Sequence, residues 1–231
     1  MKPKHQPKGV TLLYEDADIL VVDKPCGLLT MGTERDKSRT VHSILNDYVR
    51  KGNPKSHNRV YIVHRLDRDT SGILLFAKSE HAKLFLQSDW ENTTKAYLAV
   101  VFGHLTPPQG TISSYLSENA AFTVYSTPDP AKGKLSQTAY TFVKELKGLS
   151  LLQINLLTGR KHQIRVHFAE KGHPVVGDQK YGKGHASYAN LALHAYSISF
   201  THPVSAARLR FETQIPGLFT RLVGTFELPG I

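Results

Sequence analysis

The most unusual segment of the sequence is a loop of ionisable side chains. It reads His64-Arg-Leu-Asp-Arg-Asp-Thr-Ser-Gly72 and separates two apolar runs, Val60-Tyr-Ile-Val63 and Ile73-Leu-Leu-Phe-Ala77. A connection between two buried strands can hold such side chains rigidly at the edge of a cleft, where they could serve catalysis. The alternative is a solvated turn whose aspartates accept hydrogen bonds from their own backbone, and composition alone favours that alternative.

A second segment concentrates basic side chains at the start of a predicted helix. It reads Leu157-Thr-Gly-Arg-Lys-His-Gln-Ile-Arg-Val-His-Phe168. We expect Thr158 to cap the helix and Arg165 to lie one turn in, on the face of Lys161. The first turn would carry Arg160, Lys161 and His162. Cations there oppose the helix macrodipole unless an anion such as a phosphate docks at that end. An ordinary basic surface fits the pattern equally well.

A third segment, Thr94-Lys-Ala-Tyr-Leu-Ala99, has the alternation of a strand. Lys95 and Tyr97 would share one face of that strand. Tyr97 could stack on a base or transfer a proton. From this window alone, an amphipathic tyrosine of the core is the favoured interpretation.

The histidines and the cysteine do not predict a metal site. His162 and His167 are five residues apart, which misses the helical spacing of three or four that metal ligands usually need. With one cysteine, the sequence holds neither an internal disulfide nor a cysteine-rich zinc site. We expect Cys26 to be a small buried hydrophobic residue.

Composition bounds the class of protein. The 231 residues are 40% hydrophobic and 21% charged, and the net charge is +10, which favours a polyanionic partner. Charge alone does not separate RNA from DNA or from a membrane surface. No apolar run approaches the roughly 20 residues of a membrane helix, and the basic N-terminus lacks the apolar core of a signal peptide. We therefore expect a cytoplasmic protein, and a monomer because no exposed apolar patch is identifiable.

The elements that must position these segments are mainly strands. Strands are predicted at residues 10–14, 19–22, 60–63, 73–77, 96–101, 138–143, 151–156, 193–200 and 208–213. Helices are predicted at residues 40–49, 80–89, 161–170 and 218–223, with Leu84 among the apolar contacts of the second. Many strands with few helices between them indicate an α+β fold with a mainly antiparallel sheet.

At this point the loop resembles a known signature. His64-Arg-Leu-Asp-Arg-Asp-Thr-Ser-Gly72 is similar to the H-R-L-D-x-x-T-S-G motif of the RluA-type pseudouridine synthases. Four more segments fit that family in the same order. They are Val22-Asp-Lys-Pro-Cys-Gly-Leu28, Lys95-Ala-Tyr-Leu-Ala99, Thr158-Gly-Arg-Lys-His-Gln-Ile-Arg-Val-His167 and Pro174-Val-Val-Gly-Asp-Gln-Lys-Tyr-Gly182. With the flanking strands, the resemblance covers residues 10–215.

The resemblance implies a fold and an activity. The fold is a mixed, mainly antiparallel sheet flanked by helices, with two halves around a basic catalytic cleft. We expect a flexible basic tail at residues 1–9 and a single catalytic domain at residues 10–231, without the S4-type domain of some relatives. The activity is the isomerisation of uridines in rRNA, tRNA or both to pseudouridine.

The resemblance also implies roles for single residues. Asp67 corresponds to the catalytic aspartate, Tyr97 to the tyrosine that packs on the base, and Arg165 to the arginine that pairs with the catalytic carboxylate. Arg65 corresponds to the arginine that fills the gap left by the extruded uridine. The residues expected to bind RNA are His64, Arg65, Arg68, Lys95, Arg160, Lys161 and His162.

These residue types suit the reaction. A carboxylate can add covalently to the nucleoside or stabilise positive charge at the sugar. Burial would raise the pKa of that carboxyl, so a nearby cation is needed, and Arg165 is the candidate. Nothing is oxidised and no group is added overall, so we expect no cofactor and no metal.

Two other functions remain open on the sequence. Asp67-Arg-Asp69 superficially matches the D-x-D of Mg-dependent, haloacid-dehalogenase-like phosphatases, although Ser71 stands where that motif has Thr or Val. A non-catalytic RNA-binding protein with the same fold is the other alternative. The stretch 111–134, rich in small and polar residues, could contact RNA, but no motif in it says how.

Overall fold

The computed structural model describes residues 6–32, 39–53, 55–185 and 188–229. In chain order, the elements are β1 (Thr11–Glu15), β2 (Ile19–Lys24), α1 (Val41–Arg50), β3 (Tyr61–Ile62), β4 (Ser71–Ala77), α2 (Glu80–Ser88), a 3-10 helix (Trp90–Asn92), β5 (Thr94–Phe102), β6 (Gln109–Glu118), β7 (Val124–Thr127), β8 (Lys134–Leu146), β9 (Leu149–Leu156), α3 (Gln163–Glu170), β10 (Leu193–Thr201), β11 (Arg208–Glu212) and α4 (Gly217–Val223).

The chain divides into two compact units. Unit 1 comprises Met1–Thr93 and Ser197–Thr213, and unit 2 comprises Thr94–Tyr196 and Gln214–Ile231. Strand β10 contributes its first four residues to unit 2 and its last five to unit 1. The prediction of one domain over residues 10–231 stays a prediction. An α+β fold with a mainly antiparallel sheet is confirmed.

Unit 1 is built around strand β4. β2 and β3 pair antiparallel with β4, β1 pairs with β2, and β11 pairs with the unit 1 part of β10. Six of the seven residues of β4 are buried, so this strand lies inside the unit. Helix α2 contributes Ala82 and Leu86 to the same core, whereas Leu84 is 58% exposed, so the predicted apolar contact of Leu84 is wrong.

Helix α1 of unit 1 begins at a capping box. Thr40 Oγ1 accepts a hydrogen bond from the Ser43 backbone N–H, and Ser43 Oγ accepts one from the Thr40 backbone N–H. Such reciprocal bonds satisfy two of the N–H groups that a helix start leaves without partners. The predicted helix at residues 40–49 is confirmed, and its side chains Val41, Ile44 and Leu45 are buried while Tyr48 is half-buried.

The N-terminal residues are partly fixed to unit 1. Gln6 Oε1 accepts a hydrogen bond from the Leu12 backbone N–H at 3.0 Å, and the Pro7 carbonyl accepts one from Val10. The tail predicted at residues 1–9 therefore has defined contacts from residue 6 onward. Its first five residues lie outside the described residues.

Unit 2 is an antiparallel sheet in the order β5-β9-β8-β6-β7. Helix α4 packs on it with Phe219 and Val223, both fully buried or nearly so. Strands β6 and β7 are absent from the sequence prediction, because small and polar residues such as those at 109–114 give no apolar alternation. β6 forms through backbone pairing with β8, and β7 through pairing with β6, and a single-strand pattern does not reveal these hydrogen bonds.

Two further expectations differ from the structure. Helix α3 begins at Gln163 rather than at residue 161, so its first turn does not carry Arg160, Lys161 and His162. Cys26 is exposed, not buried, because it lies in the loop that follows β2. No helix in the described ranges is long and apolar enough to cross a membrane.

Candidate functional site

The loop that carries Asp67 belongs to unit 1 and joins β3 to β4. Asp67 is half-buried, and its neighbour Leu66 is held at both backbone polar groups by one buried side chain. Thr30 Oγ1 donates to the Leu66 carbonyl at 2.8 Å and accepts from the Leu66 N–H at 3.1 Å. The backbone that enters Asp67 is therefore fixed.

The backbone that leaves Asp67 is held by a buried lysine. The side chain of Lys24 donates to three carbonyl oxygens, those of Pro25 at 2.9 Å, Leu28 at 2.7 Å and Arg68 at 2.8 Å. The Arg68 carbonyl accepts a second hydrogen bond, from the Gly27 N–H at 3.0 Å. Lys24 and Gly27 therefore hold the backbone directly after Asp67, whereas Thr30 holds the backbone directly before it.

Charge links Lys24 to the same loop. Burial lowers the pKa of Lys24 to about 8, while electrostatic interactions with Cys26, Asp69, Asp67 and Asp23 act in the opposite direction. The electrostatic surroundings of Asp67 in unit 1 therefore include a buried cation that the sequence analysis did not assign.

The remaining loop residues differ in exposure. Arg65, Arg68 and Asp69 are exposed. His64 is half-buried, since its ring lies 4.8 Å from that of Trp90 and its Nε2 accepts the Leu75 N–H at 3.0 Å. Arg65 and Arg68 are thus accessible to solvent, whereas the His64 ring packs on Trp90 and accepts a backbone hydrogen bond, and the RNA-binding roles of all three stay predictions.

Tyr97 and Lys95 lie in unit 2, on strand β5. Both are buried, with 8% and 7% of their surfaces exposed. Tyr97 is opposite Ile154 in the pairing of β5 with β9. Desolvation by burial lowers the pKa of Lys95. The sequence of this segment favours Tyr97 as a residue of the core, and this interpretation is confirmed. Burial restricts the positions that its ring and hydroxyl can take.

The basic segment before α3 is organised by one glutamine instead of a helix cap. The buried Gln163 side chain accepts from Thr158 Oγ1 at 2.8 Å and from the Arg160 N–H at 3.0 Å. It donates to the Gln137 carbonyl and to Thr138 Oγ1, both at 3.0 Å. Thr158 therefore does not cap α3. Residues 158–162 form a loop, and Arg160 and Lys161 are exposed on it.

Arg165 forms a buried ion pair within unit 2. Its Nε donates to Asp178 Oδ2 at 2.7 Å and its Nη2 donates to Asp178 Oδ1 at 2.9 Å. Burial alone would raise the pKa of Asp178, but the hydrogen bond and charge of Arg165 and two backbone N–H groups lower it. A bidentate arginine–carboxylate pair fixes the plane of the guanidinium. Arg165 is buried rather than on a surface shared with Lys161.

Tyr181 connects the same region to His162. Its hydroxyl accepts the Val124 N–H at 3.1 Å and forms a second hydrogen bond, with His162 Nδ1, at 2.8 Å. The Arg165 guanidinium carbon lies 5.2 Å from the centre of the Tyr181 ring, which is a cation–π distance. His162, whose ring contacts the Tyr181 hydroxyl, has left-handed backbone geometry at φ 55°, which is uncommon for a residue other than glycine.

The predicted site residues are therefore distributed over both units. Unit 1 holds His64, Arg65, Asp67 and Arg68, and unit 2 holds Lys95, Tyr97, Arg160, Lys161, His162 and Arg165. The sequence analysis missed Lys24, Gln163, Asp178 and Tyr181. All four are polar residues inside segments that resemble the family. Their position in those segments was the one signal that could have identified them as candidate site residues. The tertiary partner of each was not visible in the sequence.

One cluster among the described residues has the spacing of metal ligands. Ligand atoms of Asp16, Asp18 and His202 lie within 4.8 Å of one another. However, His202 Nδ1 accepts the N–H groups of Val204 and Ser205, so the ring proton is on Nε2, which lies 2.9 Å from Asp16. Both ring nitrogens are thus used in hydrogen bonds, and the cluster stabilises turns of unit 1.

Comparison with known sequences identifies related enzymes. Residues 18–170 match a family model described as RNA pseudouridylate synthase. An uncharacterized RNA pseudouridine synthase of Bacillus subtilis, YhcT, is 33% identical over 222 residues, which cover 93% of this chain and 72% of the relative. Ribosomal large subunit pseudouridine synthase D of Zymomonas mobilis is 33% identical over 232 residues, covering 93% and 73%.

Comparison with solved structures agrees with these matches. Human RNA pseudouridylate synthase domain containing 1 is similar with a TM-score of 0.75 and 26% identity, covering 100% of this chain and 94% of that one. Human RNA pseudouridylate synthase domain containing 4 has a TM-score of 0.79 at 19% identity, covering 95% of both chains, and supports the fold.

Proposed function

Because this chain belongs to the RNA pseudouridylate synthase family, as an isomerase of the RluA type, we propose that it converts specific uridines of rRNA, tRNA or both to pseudouridine. Asp67 is the catalytic carboxylate and acts on a uridine turned out of its stack. The observation that carries this assignment is that Asp67 is the aspartate of the H-R-L-D loop, whose backbone is fixed on both sides.

The reaction requires bond exchange without redox chemistry. The N1–C1′ bond of uridine breaks, the base turns over, and a C5–C1′ bond forms. The C5 hydrogen leaves as a proton, and N1 gains one, so atoms and charge balance without a cofactor or a metal. A carboxylate serves this reaction by adding to the nucleoside or by stabilising positive charge at the sugar.

The fixed loop supports Asp67 as the reacting group. A catalytic side chain must be held within about 0.5 Å of its productive position by its supporting residues. Thr30 and Lys24 bind the backbone directly before and directly after Asp67, which leaves few degrees of freedom beyond the side-chain torsions.

Tyr97 and Arg165 are assigned to the same reaction. Tyr97 would pack on the base and move a proton, and Arg165 would supply the fixed cation that an ionised carboxylate needs when water is excluded. Both side chains are buried, and Asp178 fixes the orientation of the guanidinium. A fixed cation loses no free energy to reorganisation during the reaction.

Exposed cations are proposed to hold the RNA. Arg68, Arg160 and Lys161 would contact phosphates, and Arg65 would fill the space left by the extruded uridine, whose unstacking costs a few kcal/mol. The RNA-binding roles of His64, Lys95 and His162 stay predictions, and their lower exposure favours positioning roles. We place the enzyme in the cytoplasm as a monomer.

The test is tritium release from RNA that carries 5-tritiated uridine. Bulk tRNA and rRNA are offered to the wild type, to Asp67→Asn and to Asp69→Asn, a matched control two residues away with an exposed carboxylate. We expect release by the wild type and by Asp69→Asn, and none by Asp67→Asn. The RNA that releases tritium identifies the substrate class.

Three results would contradict the proposal. Release that survives in Asp67→Asn would exclude Asp67 as the essential carboxylate. RNA binding by the wild type without release from either RNA would favour a binding protein that has lost the chemistry. Hydrolysis of a phosphate ester that needs Mg²⁺ would favour the D-x-D phosphatase instead.

A further inference from the structure

A cavity in unit 2 combines Arg160 and Lys161, two of the proposed phosphate contacts, with residues that the proposed function does not use. Its volume is about 560 Å³, within the range of about 300–1,000 Å³ typical of ligand pockets. It is bounded by residues 116–118 and Val124 of strands β6 and β7, by the turn 131–134 at the start of β8, and by the loop 159–161. We call this cavity the basic pocket.

The basic pocket takes its name from its charge. Four of its lining residues are cations, Lys132, Lys134, Arg160 and Lys161, and one, Glu118, is an anion. Cations that converge on one cavity repel each other unless an anion lies between them. The excess positive charge therefore fits an anionic ligand such as a phosphodiester.

The cations are available at little cost. Lys132 pairs with Asp129 at 3.4 Å with 77% of its side chain exposed, and such an exposed pair contributes little to stability. The carbonyl of Lys134 accepts a hydrogen bond from Ser136 Oγ, whereas its side chain makes no hydrogen bond or ion pair with the part of the chain that the structure describes. Lys161 pairs with Glu118 at the rim. At Lys132 and Lys134, a phosphate would therefore replace a weak pair or none.

The backbone that presents these cations is fixed. A Cβ at Gly133 would lie 2.8 Å from atoms of both Thr127 and Tyr115, so the turn lies directly on strands β6 and β7. Asp129 Oδ1 accepts the Ala131 N–H at 2.9 Å and closes the turn. A site with a fixed backbone binds its ligand with less loss of entropy.

An exposed aromatic ring beside the pocket indicates which polyanion binds. Phe122, at the turn between β6 and β7, is 59% exposed and has φ 56°, which is rare for a residue of its size. Lys180 donates to the Phe122 carbonyl at 2.6 Å, and the Lys161 ammonium lies 5.4 Å from the ring centre. Exposed rings along a basic groove stack on bases of single-stranded nucleic acid.

We propose that the basic pocket binds a backbone phosphate of a single-stranded segment of the substrate RNA, away from the target uridine, with a neighbouring base stacked on Phe122. This site rests on the proposed function for its ligand. It adds Lys132, Lys134 and Phe122 to the RNA contacts, and it gives the stretch 111–134 a role in choosing the RNA.

The first test is the salt dependence of RNA binding by the full chain. The double variant Lys132→Ala/Lys134→Ala is compared with Lys171→Ala/Lys183→Ala, whose lysines are exposed in unit 2 outside the pocket. Each lost phosphate contact reduces the slope of log Kd against log salt by about 0.7 on single strands. We expect a reduction of up to about 1.4 for the pocket variant and a smaller one for the control.

The second test separates stacking from charge. Phe122→Leu keeps an apolar side chain but removes the ring. We expect it to weaken binding severalfold to about a hundredfold, in line with about 1–3 kcal/mol per stacked base, without changing the salt slope. Both pocket variants should raise the KM for tritium release and leave kcat at saturating RNA unchanged, because Lys132, Lys134 and Phe122 are all proposed to bind RNA away from the reacting uridine.

The outcomes separate this site from the reaction itself. The proposal would be overturned if Lys132→Ala/Lys134→Ala and the control variant had the same salt slope. It would also be overturned if Lys132→Ala/Lys134→Ala bound RNA normally and lost only the binding of inorganic phosphate. Absence of RNA binding by the wild type would overturn it as well. A changed slope without tritium release by the wild type would support the pocket and reject the proposed reaction.

Discussion

The substitution Asp178→Asn tests the buried ion pair that orients Arg165. The carboxylate accepts Nε and Nη2 of Arg165 at 2.7 and 2.9 Å, and its Oδ1 also accepts the N–H groups of Lys180 and Tyr181 at 2.9 and 3.0 Å. An asparagine keeps the shape and one carbonyl oxygen. It removes the negative charge and replaces one acceptor with an N–H donor that faces the guanidinium.

The expected cost follows from burial. Arg165 and Asp178 are 7% and 4% exposed, and removing one partner of a buried pair costs about 3–5 kcal/mol. The asparagine oxygen can still accept the two backbone N–H groups. We therefore expect Asp178→Asn to lower the free energy of unfolding by about 3 kcal/mol, the lower end of that range. Domains have total stabilities of about 5–15 kcal/mol, so the variant should fold.

The assay is urea unfolding with a double-mutant cycle. Asp178→Asn, Arg165→Met and the double variant are compared with the wild type, and Glu212→Gln serves as a control from an exposed arginine–carboxylate pair. For Glu212→Gln we expect the free energy of unfolding to fall by about 1 kcal/mol or less. The double variant should be at least about 1 kcal/mol more stable than the sum of the single effects predicts, because no charge is then left buried alone.

Two results would refute this reasoning. A loss below about 1 kcal/mol in Asp178→Asn would mean that the charge of the carboxylate contributes little to the fold. Strict additivity in the cycle would mean that the two side chains do not stabilise each other. A third check uses pH: because the folded pKa of Asp178 is lowered, its stabilisation should be complete above the unfolded value of about 3.9 and be lost as pH falls below it.

Three further substitutions test the supporting structure. Burial lowers the pKa of His167 from 6.5 to about 4, so stability should be complete above pH 6.5 and fall by up to about 3 kcal/mol as the pH decreases to 4. In His167→Gln the unfolding midpoint should depend less on pH over that window, and equal dependence would exclude this histidine as the acid-sensitive group. Lys24→Met removes the donor of three backbone carbonyls, one of them in the loop 64–72, and should cost about 1–3 kcal/mol in thermal or urea unfolding. It should lower kcat for tritium release more than RNA affinity, and an unchanged kcat would mean that the loop keeps its shape without the lysine. Gly177→Ala combines φ 80° with a Cβ 2.0 Å from a backbone carbonyl oxygen, whereas Gly172→Ala has φ 82° and open space. The first should therefore be the less stable of the two by more than about 1 kcal/mol, and equal stability would show that the backbone moves freely there.

Much of the secondary structure could be predicted because its signals are local. The predicted helix at 40–49 corresponds to α1, whose Thr40 cap and apolar spacing both lie within one segment. Strands β2, β4, β9 and β10 have long apolar runs and appear within three residues of their predicted bounds. Strands β6 and β7 could not be predicted in this way, because their backbone pairing compensates for a sequence without alternation.

The segment before α3 shows why a local rule can fail. Thr158 followed by basic residues has the composition of a helix start, yet the helix begins at Gln163. The Gln163 side chain accepts hydrogen bonds from residues 158 and 160 and donates to a neighbouring strand, β8. These contacts stabilise a loop where the sequence predicts a helical turn, and two of their partners are more than 20 residues away in the sequence.

The sequence by itself determined the family, the α+β class and the loop in which Asp67 stands, because motif residues and apolar periods are properties of short segments. Only the tertiary structure decided what holds those segments. It placed Lys24 and Thr30 on the Asp67 loop, paired Arg165 with Asp178, and assembled the basic pocket from three separate parts of the chain. The physical reason is that hydrogen bonds, ion pairs and cavities depend on distances between residues that are far apart in sequence, and those distances exist only once the strands have paired.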